Sequence, residues 1–133
     1  MIIRGLVIHQ PWAWAIIHGP KRIENRGWST RYRGSLAIVA GHSRDSLVQG
    51  RAFLEERGIE VPRDEDLAFG CILGVTAVRD CLPLAECPPD PFARGPFCWL
   101  LTEPAALDTP APFRGMPGLF PVPLEACWSN KRW

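Results

Sequence analysis

Lys21, Glu24 and Arg26 fall within one short run of the segment QPWAWAIIHGPKRIENRGWSTRYRG, Gln10 to Gly34. Glu24 is the lone acid of that segment, and Lys21 is one of only two lysines in the chain. Around them crowd Arg22, Arg31 and Arg33, the single tyrosine, Tyr32, and three of the six tryptophans, Trp12, Trp14 and Trp28. Aromatic faces interleaved with guanidinium groups suit a flat, anionic ligand, because rings stack on nucleobases and arginine pairs with phosphate. A lysine beside a carboxylate adds a second possibility, proton transfer by an acid/base pair.

Each of these residues has a functional and a structural reading. Lys21 can clamp a phosphate, serve as a general base desolvated beside Arg22 and Arg26, or be an ordinary solvated lysine. Glu24 can orient Lys21, accept a hydrogen bond from a base edge or act as general acid/base. Equally, it can pair with Arg26 or Arg22 and hold its strand in register. Arg26 and Arg33 are candidates for bidentate phosphate contacts, or for bridges to the acidic middle of the chain. Trp12 and Trp28 can stack on a base or fill a core, while Trp99 in PFCWLL reads as core. Tyr32, in a polar loop, can stack. The Gln10 amide can read a base edge or cap backbone. His42 and Ser43 read as a structural group and a helix cap. The candidate ligand-binding set is Gln10, Trp12, Lys21, Glu24, Arg26, Trp28, Tyr32 and Arg33. If the chain is an enzyme, Lys21 and Glu24 are its catalytic pair.

The elements that must position these groups follow from periodicity and breakers. Met1 to Ile8 is apolar and β-branched and reads as a strand. Pro11 suits the first turn of a helix, Trp12 to His18, which Gly19-Pro20 stops. If Lys21 to Trp28 runs extended, Arg22, Glu24, Arg26 and Trp28 share one face and Ile23 points to the core. Ser29 to Arg33 is a loop and Ser35 to Ala40 a buried strand. Ser43 to Arg57 is a helix with Leu47, Phe53 and Leu54 as its apolar stripe, capped by Asp45 or Ser43. Val61 to Leu67 is an acidic connection. Gly70 to Cys81 is the strongest strand, with Gly70 and Gly74 marking a bend or bulge. Pro83 to Arg94 is a stiff proline-rich loop, Pro96 to Thr102 a strand, and Glu103 to Gly118 again a loop. Leu119 to Leu124 is a short edge strand, and Glu125 to Trp133 adds a helical turn. Five or six short strands with two helices predict a small mixed barrel, since closure removes exposed edges.

At 133 residues with 47% hydrophobic content, the chain suits a single domain spanning 1–133. Net charge is +1, which excludes a general polyanion coat, but the charge is segregated. Residues 1–44 carry +6, residues 45–90 carry −6 and residues 91–133 carry +1. A local basic face, or pairing between the blocks, follows from that pattern. The five cysteines are odd in number and form no C-x-x-C pair, so no metal is expected; Cys71 and Cys98 read as small core hydrophobes. With no signal peptide or long apolar span, the expectation is a reducing cytoplasmic location without membrane contact.

The run QPWAWAIIHGPKRIENRGWSTRYRGSLAIVAG resembles the ASCH domain, a member of the PUA-like β-barrel superfamily. GCILGVTAVRDC, GPFCWLL and FRGMPGLFPV, with Gly115, Gly118, Leu119 and Phe120, fit as well. The resemblance spans nearly the whole chain and implies a stand-alone domain: α+β, mainly β, a PUA-like barrel of five to six strands with flanking short helices. ASCH domains take their name from a transcription coactivator. The resemblance implies a nucleic-acid or nucleoside ligand in a cleft beside GxKxxExR, here Gly19, Lys21, Glu24 and Arg26, and no cofactor. One bacterial branch hydrolyses N4-acetylcytidine, and ribonuclease activity has been proposed for another. The amidohydrolase branch has a threonine nucleophile three residues after the lysine and a glutamate from a later strand. This chain has Glu24 at the threonine position, and a carboxylate does not replace that hydroxyl in the same mechanism. Asp64 to Asp66, or Asp80, is the nearest counterpart of the later glutamate. The expected function is therefore an RNA- or modified-nucleotide-binding module, monomer favoured. The alternative is a small hydrolase of a nucleoside amide or an RNA phosphodiester. A protein-interaction module using the proline-rich loops is a third reading.

Overall fold

The computed structural model describes residues 1–128. Its strands are β1 (Ile2–Ile8), β2 (Ile23–Arg26), β3 (Gly34–Ala40), β4 (Cys71–Pro83), β5 (Phe97–Leu101), β6 (Ala105–Pro112) and β7 (Phe120–Pro123). Two helices, α1 (Trp12–Ile17) and α2 (Leu47–Glu56), follow β1 and β3 respectively. Single 3-10 turns occupy Asp64–Asp66, Leu84–Glu86 and Leu124–Trp128. The last of these begins one residue before the helical turn expected over Glu125 to Trp133 and overlaps its start; the rest of that expectation, residues 129–133, lies outside the described residues.

The sheet runs β2-β5-β4-β3-β1-β7, with β6 also paired to β4. It is an open, seven-stranded sheet and not the five- to six-stranded barrel that strand counting predicted. Strand counts carry no information on which edges meet. Here both end strands are only four residues long, and β7 contains Pro121 and Pro123, which cannot donate to a further neighbour. Near the two ends, β2 reaches β1 through a side chain rather than a ladder: Arg26 Nη2 donates to the Val7 carbonyl at 2.7 Å.

β4 is the hub. Its 13 residues pair with β3 on one edge, while the other edge is divided between β6 (Cys71 to Val75) and β5 (Val78 to Pro83). Register slips on both sides of Leu73, where Ile38 pairs Gly74 but Val39 pairs Ile72, so the expected bulge is present. Gly74 is required there: a Cβ would lie 2.5 Å from the Ala105 carbonyl oxygen and 2.9 Å from Ile17. Gly74→Ala should therefore cost about 2 kcal/mol of stability, read from the midpoint of urea unfolding.

Period-two alternation along β1, β3 and β4 feeds a core on each face of the sheet. Leu6, Ile8, Leu36, Ile38, Cys71 and Leu73 join α1 and Trp99 on one side, while Ile3, Ala37, Val39, Ile72, Phe120 and Val122 pack together on the other. A third cluster, including Ile23, Leu54, Phe92, Cys98 and Leu100, sits under α2. Cys71 and Cys98 are core residues as expected, and burial raises the Cys71 and Cys127 thiols above the ordinary range.

Two local expectations need correction. The predicted loop 103–118 contains β6, hidden by Pro104, Pro110 and Pro112. Among the described strands β6 pairs with β4, off the main path of the sheet, a marginal position where prolines are tolerated. Neither Asp45 nor Ser43 caps α2: Ser46 occupies that position without a side-chain cap bond, and Ser43 Oγ instead accepts from the Asp45 N–H. Among the described residues no helix is long and apolar enough to cross a membrane.

Candidate functional site

β2 is an end strand, so its outer rim is free to form one wall of a cavity. That cavity, about 380 Å³, opens between the start of α1, the stripe Gln49 and Phe53 of α2, and the loop bearing Phe92 and Arg94. Trp12, Lys21, Glu24 and Asn25 complete the lining.

Lys21 is held from both directions. Its backbone N–H donates to the Ala15 carbonyl near the end of α1; the residue is 4% exposed, and its ammonium donates to the Ile23 carbonyl and to Glu24 Oε1 at 3.3 Å. The ammonium lies 6.0 Å from the Trp12 ring centre and 5.8 Å from that of Phe92, so it is flanked by two π faces. Glu24 is 7% exposed, and its other oxygen stands 3.0 Å from Arg26 Nε. One carboxylate thus joins two cations at the cavity wall. The alternation expected for β2 holds for Ile23, buried in the core, and for the Glu24–Arg26 pair. Arg22 departs from that face: its Nη1 donates to the carbonyls of Ile16, Gly19 and Lys21, closing the end of α1, and its Nη2 reaches Glu103.

Asn25 organises the opposite wall. Its Nδ2 donates to the Phe92 carbonyl at 2.9 Å, and its Oδ1 accepts the Arg94 and Gly95 N–H groups, each at 2.8 Å. One side chain thereby fixes the loop that carries both Phe92 and Arg94. On α2, Gln49, Phe53 and Arg57 follow at i, i+4 and i+8 and share one helix face. Phe53 meets Trp12 edge-on at 5.6 Å and Phe92 at 5.6 Å, which completes an aromatic lining around the Lys21 ammonium.

Every one of these lining residues falls inside the stretch 6–94, which matches the ASCH domain. The chain belongs to the ASCH domain family. Activating signal cointegrator 1 of Homo sapiens is 32% identical to it over 126 residues, 86% of this chain and 21% of that protein. The Mus musculus protein of the same name is 39% identical over 83 residues, 58% of this chain and 14% of that protein. The chain thus spans about a fifth or less of the length of these relatives.

Of the candidate residues, this ASCH domain brings Trp12, Lys21 and Glu24 to the cavity, with Arg26 behind Glu24. The others sit elsewhere. Gln10, 1% exposed, spends its amide on the Trp14 N–H and the Ala68 carbonyl, the backbone-capping reading. Trp28, 39% exposed, stands edge-on to the buried Trp99 at 4.8 Å, and Trp99 Nε1 donates to the Trp28 carbonyl. The Tyr32 hydroxyl donates to the Ser35 carbonyl, and Arg33 pairs with Asp80 at 3.3 Å. Asp64 and Asp66 pair with Arg51 and Arg63. No member of that acidic set lines the cavity. His42 belongs to a separate hollow of about 650 Å³ beyond the ends of β1 and β3. Among the described residues, no three histidine, cysteine or acidic side chains group as a metal would need.

Sequence reasoning missed Asn25, Gln49, Phe53, Phe92 and Arg94 as lining residues. Asn25 did carry a signal, because asparagine is depleted in strands and one within IENR needs a reason.

Proposed function

We propose that this ASCH domain is a nucleic-acid-binding module that takes a base of RNA, or a modified nucleotide, into the cavity beside Lys21 and Glu24. The observation that carries the reading is the Lys21–Glu24 pair set among Trp12, Phe53 and Phe92. Trp12 and Phe92 offer ring surface to a base, with Phe53 completing the apolar wall, while the ammonium and carboxylate offer a donor and an acceptor to its edge. At about 380 Å³ the cavity lies at the lower end of small-ligand sites, a size suited to one base rather than a stretch of duplex. ASCH domains group with PUA-like RNA-binding modules, which supports the same class.

The hydrolase alternative draws on the buried lysine–carboxylate pair. Against it, among the described residues the lining carries no serine, threonine or cysteine to serve as nucleophile, and both Glu24 oxygens stand beside cations. The test is a titration with single-stranded RNA, duplex RNA, DNA and free modified cytidines, followed by tryptophan fluorescence with product analysis on the same samples. The expected result is salt-dependent binding of single-stranded RNA or a modified nucleotide, without product, abolished by Lys21→Met. Product formation by the parent, lost in that variant, would make the chain an enzyme instead.

A further inference from the structure

Arginines expected to contact phosphate are engaged within the fold, Arg26 with Glu24 and Val7, and Arg33 with Asp80. A different pair rests on a ring that lines the cavity. The Arg94 guanidinium lies 4.9 Å from the centre of the Phe53 ring and that of Arg57 lies 3.5 Å from it. Phe53 and Arg94 both line the cavity, and Arg57 is one helical turn beyond Phe53 at the end of α2. Two cations are thus gathered on one ring, which itself offers only a weak, non-ionic partner.

Neither charge is well neutralised. Among the described residues no carboxylate stands within ion-pair distance of Arg94. The nearest carboxylate to Arg57 is Glu56, at 4.0 Å, and one guanidinium N–H is engaged by the Phe53 carbonyl at 2.8 Å. The two also differ in how firmly they are placed. The Arg94 backbone is pinned by Asn25, whereas Arg57 is drawn toward the carbonyl end of its own helix.

We infer that Arg94 and Arg57 form a phosphate-reading rim, so that the cavity selects a base still carrying its phosphate over the free nucleoside. This rests on the proposed base-binding role of the cavity and adds its ligand class. A base among Trp12, Phe53 and Phe92 leaves its sugar-phosphate toward the mouth, where planar guanidinium groups pair with phosphate oxygens. Arg94 carries the larger share, because among the described residues it has no competing ion pair and its loop is fixed in advance.

The test compares cytidine and adenosine with their 5′-monophosphates and a short single-stranded RNA, using the parent chain, Arg94→Gln, Arg57→Gln and Arg94→Lys. The parent should prefer each monophosphate over its nucleoside, and Arg94→Gln should cut that preference about tenfold, the loss of one charge-assisted contact. Arg57→Gln should cut it less. In a salt series with the RNA, each glutamine variant should flatten the slope by about 0.7, the share of one phosphate contact on a single strand. Arg94→Lys should keep that slope, because the charge remains. A parent that binds nucleosides as tightly as monophosphates, or variants with the parental preference and slope, would overturn the rim alone. A parent that binds neither nucleosides nor RNA would overturn the cavity reading and the rim together.

Discussion

Glu24→Ala should lower the stability of the folded chain by about 3 kcal/mol, while Lys21→Met should lower it far less, although both should abolish ligand binding. The asymmetry comes from who is left behind. Without Glu24, the Lys21 ammonium stays in a site only 4% exposed with one backbone carbonyl, and Arg26 loses its carboxylate at the same time. Two cations are then uncompensated, one of them buried. Without Lys21, Glu24 keeps Arg26 at 3.0 Å, and a methionine side chain refills the space between Trp12 and Phe92. Combining Lys21→Met with Glu24→Leu should recover the part of the Glu24→Ala loss that comes from the stranded Lys21 ammonium, because apolar groups then replace the buried pair, while Arg26, a quarter exposed, still lacks its carboxylate. Urea midpoints of the four proteins decide the matter. Equally small losses for the two single variants would mean that Lys21 and Glu24 are solvated in practice and contribute little to each other, and equally large ones would mean that Arg26 does not hold Glu24 once Lys21 is gone.

What the chain reveals before folding is uneven for a physical reason. β1, β3, β4 and β5 were legible because each is an apolar, β-branched or aromatic run bounded by glycine or proline, and α1 because Gly19-Pro20 ends it. β6 was not legible because its partner is non-local: Ala105 and Ala106 pair with Val75 and Gly74, and nothing in a proline-punctuated segment announces an edge strand. The barrel expectation failed at the same step, since pairing between end strands is a property of the assembled sheet. Within the site, Trp12, Lys21 and Glu24 were legible because their types crowd one short segment. Phe53, Phe92 and Arg94 come from elements far along the chain, and packing of α2 and the 87–96 loop over Ile23, Cys98 and Leu100 brings them in. The arginines show the limit of composition most clearly. Charge density pointed to Arg26 and Arg33, but only geometry separates an arginine with a carboxylate beside it from one resting on a ring.

Asn25→Asp should damage the site as much as Asn25→Ala, despite preserving the shape of the side chain. The native amide does two opposite things: Nδ2 donates to the Phe92 carbonyl and Oδ1 accepts the Arg94 and Gly95 N–H groups. An aspartate keeps both acceptor bonds and strengthens them by its charge. Its second oxygen then faces the Phe92 carbonyl oxygen at a donor–acceptor distance of 2.9 Å, with no proton between them. That repulsion pushes away the segment holding Phe92, which is 6% exposed and packs in the cluster under α2. Alanine loses these three bonds together with the weak one from the Cys98 thiol to Oδ1, and strands the loop amides, at a cost of about 2 kcal/mol for groups that water can partly reach. Both variants should therefore lose ligand affinity about tenfold or more through displacement of Phe92 and Arg94, each a wall of the cavity. Hydrogen exchange on the 90–96 amides, measured beside affinity, separates this from a global effect. Protection should fall in that loop while β4 and β3 stay protected. An Asn25→Asp chain with parental affinity and parental loop protection would show that the loop is held by its prolines and not by this amide.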